Sequence, residues 1–218
     1  MYTNFHINTQ ETKHIGEKMF NPYENSDESE WFDITCDLIR NHPLDMNIVI
    51  ETVLESWDDI FESTFGKNNV QIGKDILPSP QIMGFLLHEL IPINLRGKLD
   101  SDDWVKDKEV SEKDLVYRPN IDYSVEIKTS SNPSRIFGNR SYAQKTDNPK
   151  KTKTGYYLAV NFERFKDSPQ PKIRKISFGW LDHNDWRGQK AQTGQQSSLA
   201  PIIYKTKLLE IYPNSTIK

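Results

Sequence analysis

Asp122, Glu126 and Lys128 are the residues whose types and spacing could do chemistry. They lie in the run Pro119-Asn-Ile-Asp-Tyr-Ser-Val-Glu-Ile-Lys-Thr129. Read with period two, Ile121, Tyr123, Val125 and Ile127 share one face of a strand, and Asp122, Ser124, Glu126 and Lys128 the other. Two carboxylates and a backbone carbonyl suit a hard, oxygen-loving cation such as Mg2+. A lysine two residues past the second carboxylate lies on the same side, within reach of a water or a phosphate oxygen. That set fits metal-assisted phosphodiester hydrolysis, with the lysine orienting or deprotonating the attacking water. One constraint follows from strand geometry. Four residues of straight strand would hold Asp122 and Glu126 roughly 13 Å apart, too far for one ion. The backbone must bend between them, or Asp122 must sit on a turn, for which Pro119-Asn120 is suited. Asp114 is the alternative acid.

The elements that must position this strand can be read in order. The polar, irregular stretch 1–30 is expected to be an arm, loosely attached or ordered on assembly. A short helix is expected from Trp31 to Arg40, with Trp31, Ile34, Thr35 and Leu38 on one side and Asn41-His-Pro closing it. From Leu44 to Phe65, Val49, Val53, Trp57 and Ile60/Phe61 recur at helical spacing, with Gly66 as the stop. A second helix is expected from about Ser79 to Leu90, begun by Pro80 and ended by Pro92, with Ile82, Phe85, Leu86 and Leu90 as its core stripe. Its His88 reads as a helix-surface or satisfied histidine rather than a ligand or base. A charged loop over 97–113 leads to a strand at 115–117. Further strands are expected at 155–162, 173–181 and 202–212, that at 156–162 buried on both faces. Segments 140–150 and 186–198 read as helical or structured loops. Helices first and strands after give an α/β (α+β) domain with a central mixed β-sheet flanked by helices. The expected division is one domain over 1–218, with an arm over 1–30, a helical part over 44–96, and sheet and reading segments over 114–212.

The 218 residues suffice for one packed core. A mean hydropathy of -0.72 and 27% charged residues describe a wet surface. No apolar run approaches bilayer length, and Met1-Tyr-Thr-Asn-Phe-His lacks a basic-then-apolar leader pattern; a cytoplasmic protein without membrane contact is expected. The single cysteine, Cys36, excludes an intramolecular disulfide and argues against a cysteine-rich zinc site. The net charge of -3 conceals an asymmetry: residues 1–116 hold ten Lys/Arg against twenty-three Asp/Glu, and 117–218 eighteen against eight. Positive charge gathers on the half that carries the metal-binding strand, as a polyanionic substrate requires. Glu51, Glu55, Asp58, Asp59 and Glu62 give the 44–65 helix an acidic side that should face away from such a substrate.

Two tracts supply donors for reading double-stranded DNA. The first holds Ser130, Ser131, Asn132, Arg135, Asn139, Arg140, Ser141 and Gln144, with Lys145, Lys150, Lys151 and Lys153 behind them. Lysines suit phosphate oxygens, whereas Arg, Asn and Gln can pair two-fold with base edges. The second holds Arg187, Gln189, Gln192, Thr193, Gln195 and Gln196, with Gly188 and Gly194 permitting close approach to a duplex. Trp186 is expected to anchor this tract in the core.

Pro119, Asp122 and Glu126-Ile127-Lys128 resemble the Pro-Asp…(Asp/Glu)-x-Lys signature of the nuclease superfamily that includes most type II restriction endonucleases. Ile136-Phe-Gly-Asn-Arg-Ser-Tyr-Ala-Gln144 and Asp185-Trp-Arg-Gly-Gln-Lys-Ala-Gln-Thr-Gly-Gln-Gln-Ser-Ser-Leu199 resemble stretches of such enzymes of the ScaI type. The resemblance covers roughly residues 78 to 200. It implies a restriction-endonuclease-like core and Mg2+ held by Asp122 and Glu126. Lys128 would assist the water, and a further helix-borne glutamate would join the site: Glu89, with Glu55 as alternative. It also implies a homodimer cutting both strands of a short palindrome, with a methyltransferase protecting the same site. The alternatives are a structure-selective repair or junction nuclease, and a non-catalytic sequence-specific DNA-binding protein.

Overall fold

The computed structural model describes residues 21–99, 101–108, 112–146, 153–191 and 193–215. The apolar period places α1 at Trp31–Arg40 and α2 at Met46–Glu62. Asp45 caps α2 by accepting the Asn47 N–H at 2.7 Å, and Val49, Val53, Trp57 and Ile60 are buried as their spacing requires. Gly66 does not stop this helix, which ends at Glu62 with Ser63 already extended. Its φ of +64° serves instead the turn between β1 (Thr64–Phe65) and β2 (Val70–Gln71).

Helix α3 runs Pro80–Leu99, straight through Pro92 rather than ending there. Pro92 removes one donor from the ladder, but it is buried with Ile91 and Leu95, and that packing carries the helix onward. The buried stripe is Met83, Leu87, Ile91 and Leu95. Leu86 and Leu90 are partly buried beside it, and Ile82 and Phe85, expected inside, are 52% and 62% exposed.

Strands follow at β3 (Trp104–Lys106), β4 (Leu115–Tyr117), β5 (Val125–Ser130), β6 (Phe137–Asn139), β7 (Gly155–Phe162), β8 (Ile173–Leu181), β9 (Trp186–Gly188) and β10 (Gln196–Leu199). A single-turn α4 (Ile203–Thr206) precedes β11 (Leu208–Tyr212). Three expectations are corrected here: 97–113 contains a strand, 186–198 forms a hairpin, and 202–212 begins with a helical turn.

Six strands form the main mixed sheet in the order β11-β8-β7-β5-β4-β3. Only β5 and β7 run parallel, Val125–Ser130 beside Tyr156–Asn161; the other neighbours are antiparallel. Every residue of β7 is buried, as its continuous apolar run anticipated. Val125, Ile127, Tyr156, Leu158 and Val160 face the core shared with α1, α2 and α3. Tyr157 and Ala159 face a second core built with a small sheet of order β6-β10-β9 and α4, in which Trp186 is anchored. The sheet therefore has an acidic helical layer behind it and a small polar sheet in front.

Of the expected N-terminal arm, residues 1–20 lie outside the described residues. Asn21–Glu30 is held by Tyr23, buried with its hydroxyl 2.7 Å from Thr35 Oγ1 and its ring against Trp31 and Trp180. Among the described residues, no helix is long and apolar enough to cross a membrane.

Candidate active site

Alternation along β5 delivers Glu126 and Lys128 to the face opposite the helices. Val125 and Ile127 are sealed into the helical core, so Glu126 and Lys128 must point toward the small sheet. Glu126 stands level with Tyr157, and Lys128 with Ala159. Glu126 is almost wholly buried and surrounded by three ammonium groups. Lys128 Nζ donates to its Oε1 at 2.7 Å, Lys153 Nζ is 3.7 Å from the same oxygen, and Lys113 Nζ is 3.9 Å from Oε2. The Tyr142 hydroxyl also donates to Oε1.

Burial works against the Glu126 charge, yet the charges of Lys128, Lys113 and Lys153 prevail and hold the carboxyl down at about 2. Burial pushes Lys113 down to about 8, against the pull of Glu126. Lys128 is shifted upward: burial opposes its charge, but Glu126, Tyr142 and Asp114 outweigh that. Glu126 is thus an anion and Lys128 a cation at neutral pH.

Asp114, at the foot of β4, comes to the same place. Its Oδ2 accepts the Ile127 N–H at 2.6 Å, and its Oδ1 lies 3.1 Å from His88 Nε2 on α3. Asp114 thereby adjoins Ile127, whose carbonyl accepts from Lys128 Nζ at 3.1 Å. His88 is a satisfied histidine, and its pKa is raised, first by the hydrogen bond to Asp114, against its own burial.

Asp122 is placed elsewhere. Residues Ile121–Tyr123 form a 3-10 turn capped by Asn120, which accepts the Asp122 N–H at 3.0 Å, and the strand starts only at Val125. The turn before the paired strand is the one the spacing demanded. It leaves Asp122 exposed, with its charge felt by Tyr156 on the helical face. Glu89 is paired with Lys106 of β3 and has its pKa lowered chiefly by that bond. Glu55 is exposed on α2 and bound to Lys98 at 2.8 Å. Neither reaches Glu126.

A cavity of about 590 Å3 opens in front of Lys128. Its walls are Lys128, Phe137, Gly138, Asn139, Tyr142, Gln189, Gln195 and Gln196. Both polar tracts therefore meet at the lysine. The small sheet achieves this by pairing Asn139 with Gln196 and Gly138 with Ser197, while Ser197 pairs with Gly188. The Arg140 N–H donates to Gln195 O at 2.7 Å, and the Gln189 N–H to Gln196 O at 2.9 Å. Gly138 must lack a side chain, since a Cβ would stand 2.9 Å from the Tyr142 ring.

A family model described as the ScaI restriction endonuclease matches residues 21–212. The type II restriction enzyme ScaI of Streptomyces caespitosus is 49% identical over 196 residues, 88% of this chain and 84% of that enzyme. The chain belongs to the ScaI restriction endonuclease family.

In this family member the remaining sequence-predicted residues divide into two groups. Arg135, Arg187, Thr193, Gln195, Gln196 and Gln189 are exposed, as are Asn139, Ser141 and Gln144. Ser130 and Asn132 instead build the loop after β5: Ser130 Oγ accepts the Asn132 N–H, and Asn132 Oδ1 accepts the N–H groups of Ser134 and Arg135. Ser131 lies half-buried in the same loop, and Arg140 reaches Gly194 O at 3.5 Å. Gln192 lies outside the described residues, as do Lys150 and Lys151.

The sequence reading missed Lys113, Tyr142 and the link from His88 to Asp114, and it counted Lys153 only among general phosphate donors. Lys113 carried a signal in standing directly before the alternative acid. Tyr142 carried none beyond its place in a polar tract.

Proposed function

We propose that the protein is a type II site-specific deoxyribonuclease that hydrolyses both strands of a short palindromic DNA site with Mg2+. The observation that carries this is the shared cavity: Lys128, bonded to the buried Glu126, and the exposed glutamines of the small sheet open onto one space. Recognition of base edges beside a hydrolytic centre is what site-specific cleavage needs.

The residues present fit a divalent cation. Glu126 Oε2 is buried without a hydrogen-bond partner among the described residues, an expensive state for a carboxylate oxygen unless a cation adjoins it. Asp114, Glu126 and the Ile127 carbonyl supply two carboxylates and a neutral oxygen, the donor set of a hard cation. No cluster of three or more His, Cys, Asp and Glu side chains suited to a metal occurs among the described residues, so the backbone oxygen completes the set. In this reading Asp114, not Asp122, is the first acid. When bound, Mg2+ would polarise the phosphate and acidify a water.

The chain's own groups do the rest. Lys128 aligns the attacking water and offsets charge gathering on the phosphate as the P–O bond is exchanged for a bond to water oxygen. Lys153, partly exposed beside Glu126, draws the backbone in. Asn139, Gln189, Gln195 and Gln196 meet the bases. One such centre per chain and two strands to cut make a homodimer the economical assembly on a palindrome. Cutting at a fixed site also calls for a companion methyltransferase that shields the host's own copies, and both would act in the cytoplasm.

The test is digestion of phage lambda DNA by purified protein with Mg2+, followed by sequencing of the ends. Discrete bands whose termini fall at one palindrome are expected. Scattered termini would make it a structure-selective nuclease, and retention of DNA without cleavage in any divalent metal would make it a DNA-binding protein.

A further inference from the structure

Tyr142 joins two parts of the molecule that sequence-specific cleavage must keep in step. Its hydroxyl donates to Glu126 Oε1, the oxygen that Lys128 also holds. Its ring lies 5.0 Å from Lys128 Nζ and 5.4 Å from Lys153 Nζ, and packs edge-on against Trp186 at 5.1 Å. The 3-10 turn that carries it, Arg140–Ala143, is an extension of β6. The junction of β6 with that turn is fastened at two points: the Arg140 N–H on the O of Gln195, just before β10, at 2.7 Å, and Ser197 Oγ of β10 on Asn139 O at 2.8 Å. The chain of contacts from the cavity's base-facing wall to the buried carboxylate is therefore three residues long.

We propose that Tyr142 is a positioning residue that couples reading of the DNA sequence by the β6-β10-β9 sheet to the readiness of Glu126 to take a metal. This rests on the reading of Glu126 as a metal ligand. With the phenol attached, Glu126 Oε1 already receives two donors and Oε2 alone is left open, so the carboxylate offers a cation one oxygen rather than two. Asn139, Gln195 and Gln196 gain their full set of contacts only on the correct bases, so only the correct site has the differential binding energy to shift β6 and β10. A shift there moves the turn and withdraws the phenol. A wrong site leaves the phenol on Glu126. Displacements of about 1 Å at a reacting centre suffice to change rates by about a hundredfold, so a small movement of the turn is enough.

The test compares wild type, Tyr142→Phe and Glu126→Gln. Phenylalanine keeps the ring against Trp186 and removes only the hydroxyl, and circular dichroism and a melting curve check the fold. Lambda DNA is digested with Mg2+ and the ends are sequenced, and Ca2+ binding to the DNA-free protein is measured by calorimetry. For Tyr142→Phe, the share of termini at sites one base pair from the preferred sequence should rise about tenfold, within the usual range of coupling between two sites. Ca2+ should bind the DNA-free variant several-fold more tightly.

An unchanged share of off-site termini, with cleavage either unaltered or uniformly slower, overturns the coupling. Glu126→Gln separates the two levels: if it is inert the metal reading stands and Tyr142 is judged alone, and if it still cuts both readings fall. Should the phenylalanine variant not fold, Ser197→Ala loosens the same joint from the other end and is read by the same two measurements.

Discussion

Lys128 Nζ donates to Glu126 Oε1 and to Ile127 O, the second of which is an oxygen proposed for the cation. The ammonium thus keeps those acceptors satisfied until a metal and a phosphate displace it into the cavity. Lys128→Ala should lower cleavage by about a thousandfold or more while DNA binding in Ca2+, followed by filter retention, changes little. Full cleavage by that variant would remove the lysine from the mechanism. The choice between the two first acids is equally accessible. Asp114→Asn should cost about a hundredfold or more in single-turnover rate, and Asp122→Asn, on an exposed turn, less than about threefold. The reverse order would restore Asp122. Glu126 and Lys128 were legible because a strand with one sealed face dictates where its alternate residues point. Asp114 was legible only as the alternative acid, and Lys113, Lys153 and Tyr142 could not be tied to Glu126, because each arrives from a different segment and only tertiary folding brings them within reach of one carboxylate. Asp122 stands on the turn that its spacing demanded, capped by Asn120, and that turn leaves it exposed.

At the scale of elements, legibility followed how narrowly the apolar residues were spread. On α2 they keep to one stripe, and the buried face is the one expected. On α3 apolar residues surround the helix, so periodicity could not choose between Ile82–Phe85 and Met83–Leu87 as the buried side. The strand β3 was lost because three residues amid acidic loop chemistry give no period at all. One connection between layers makes a measurable claim. His42 is buried between α1 and α2 among the rings of Trp104, Tyr123, Tyr156 and Phe178, accepting the Leu44 N–H at one nitrogen and bonded to Tyr123 O at the other. Burial, opposed by the Tyr123 bond, lowers its pKa to about 4 from the usual 6.5. Between those values the unfolded chain binds the proton that the folded chain refuses. Stability from this group is therefore complete above pH 6.5 and is lost as pH falls toward 4, by up to about 3 kcal/mol. His42→Gln should flatten that part of the curve, read as the difference in denaturation free energy between the two proteins from pH 7 to 4. An unchanged slope would place the acid sensitivity in other groups.

Across the whole molecule, the acidic face of α2 and the cluster of Lys113, Lys128 and Lys153 around Glu126 lie on opposite sides of the main sheet. A polyanion is therefore steered to the front, although the net charge is -3. DNA association should weaken by about a hundredfold or more between 50 and 200 mM salt, and Lys153→Ala should reduce the logarithmic salt slope by about one. A slope near zero would contradict phosphate contact beside Glu126. Sedimentation with a palindromic duplex should give two chains per duplex; one chain per duplex would require a different account of double-strand cleavage. The parallel pairing at the centre of the sheet has a further consequence for how the protein is made. β5 meets β4 at Leu115 and Val125 alone, but runs beside β7 over its whole length, and β7 in turn leans on β8. A ribosome releases β5 before those later strands, so the emerging polypeptide carries the residues proposed for hydrolysis without the scaffold that aligns them. The cell that synthesises it is spared a partly finished blade: the proposed centre is aligned only once β7 and β8 have been translated as well.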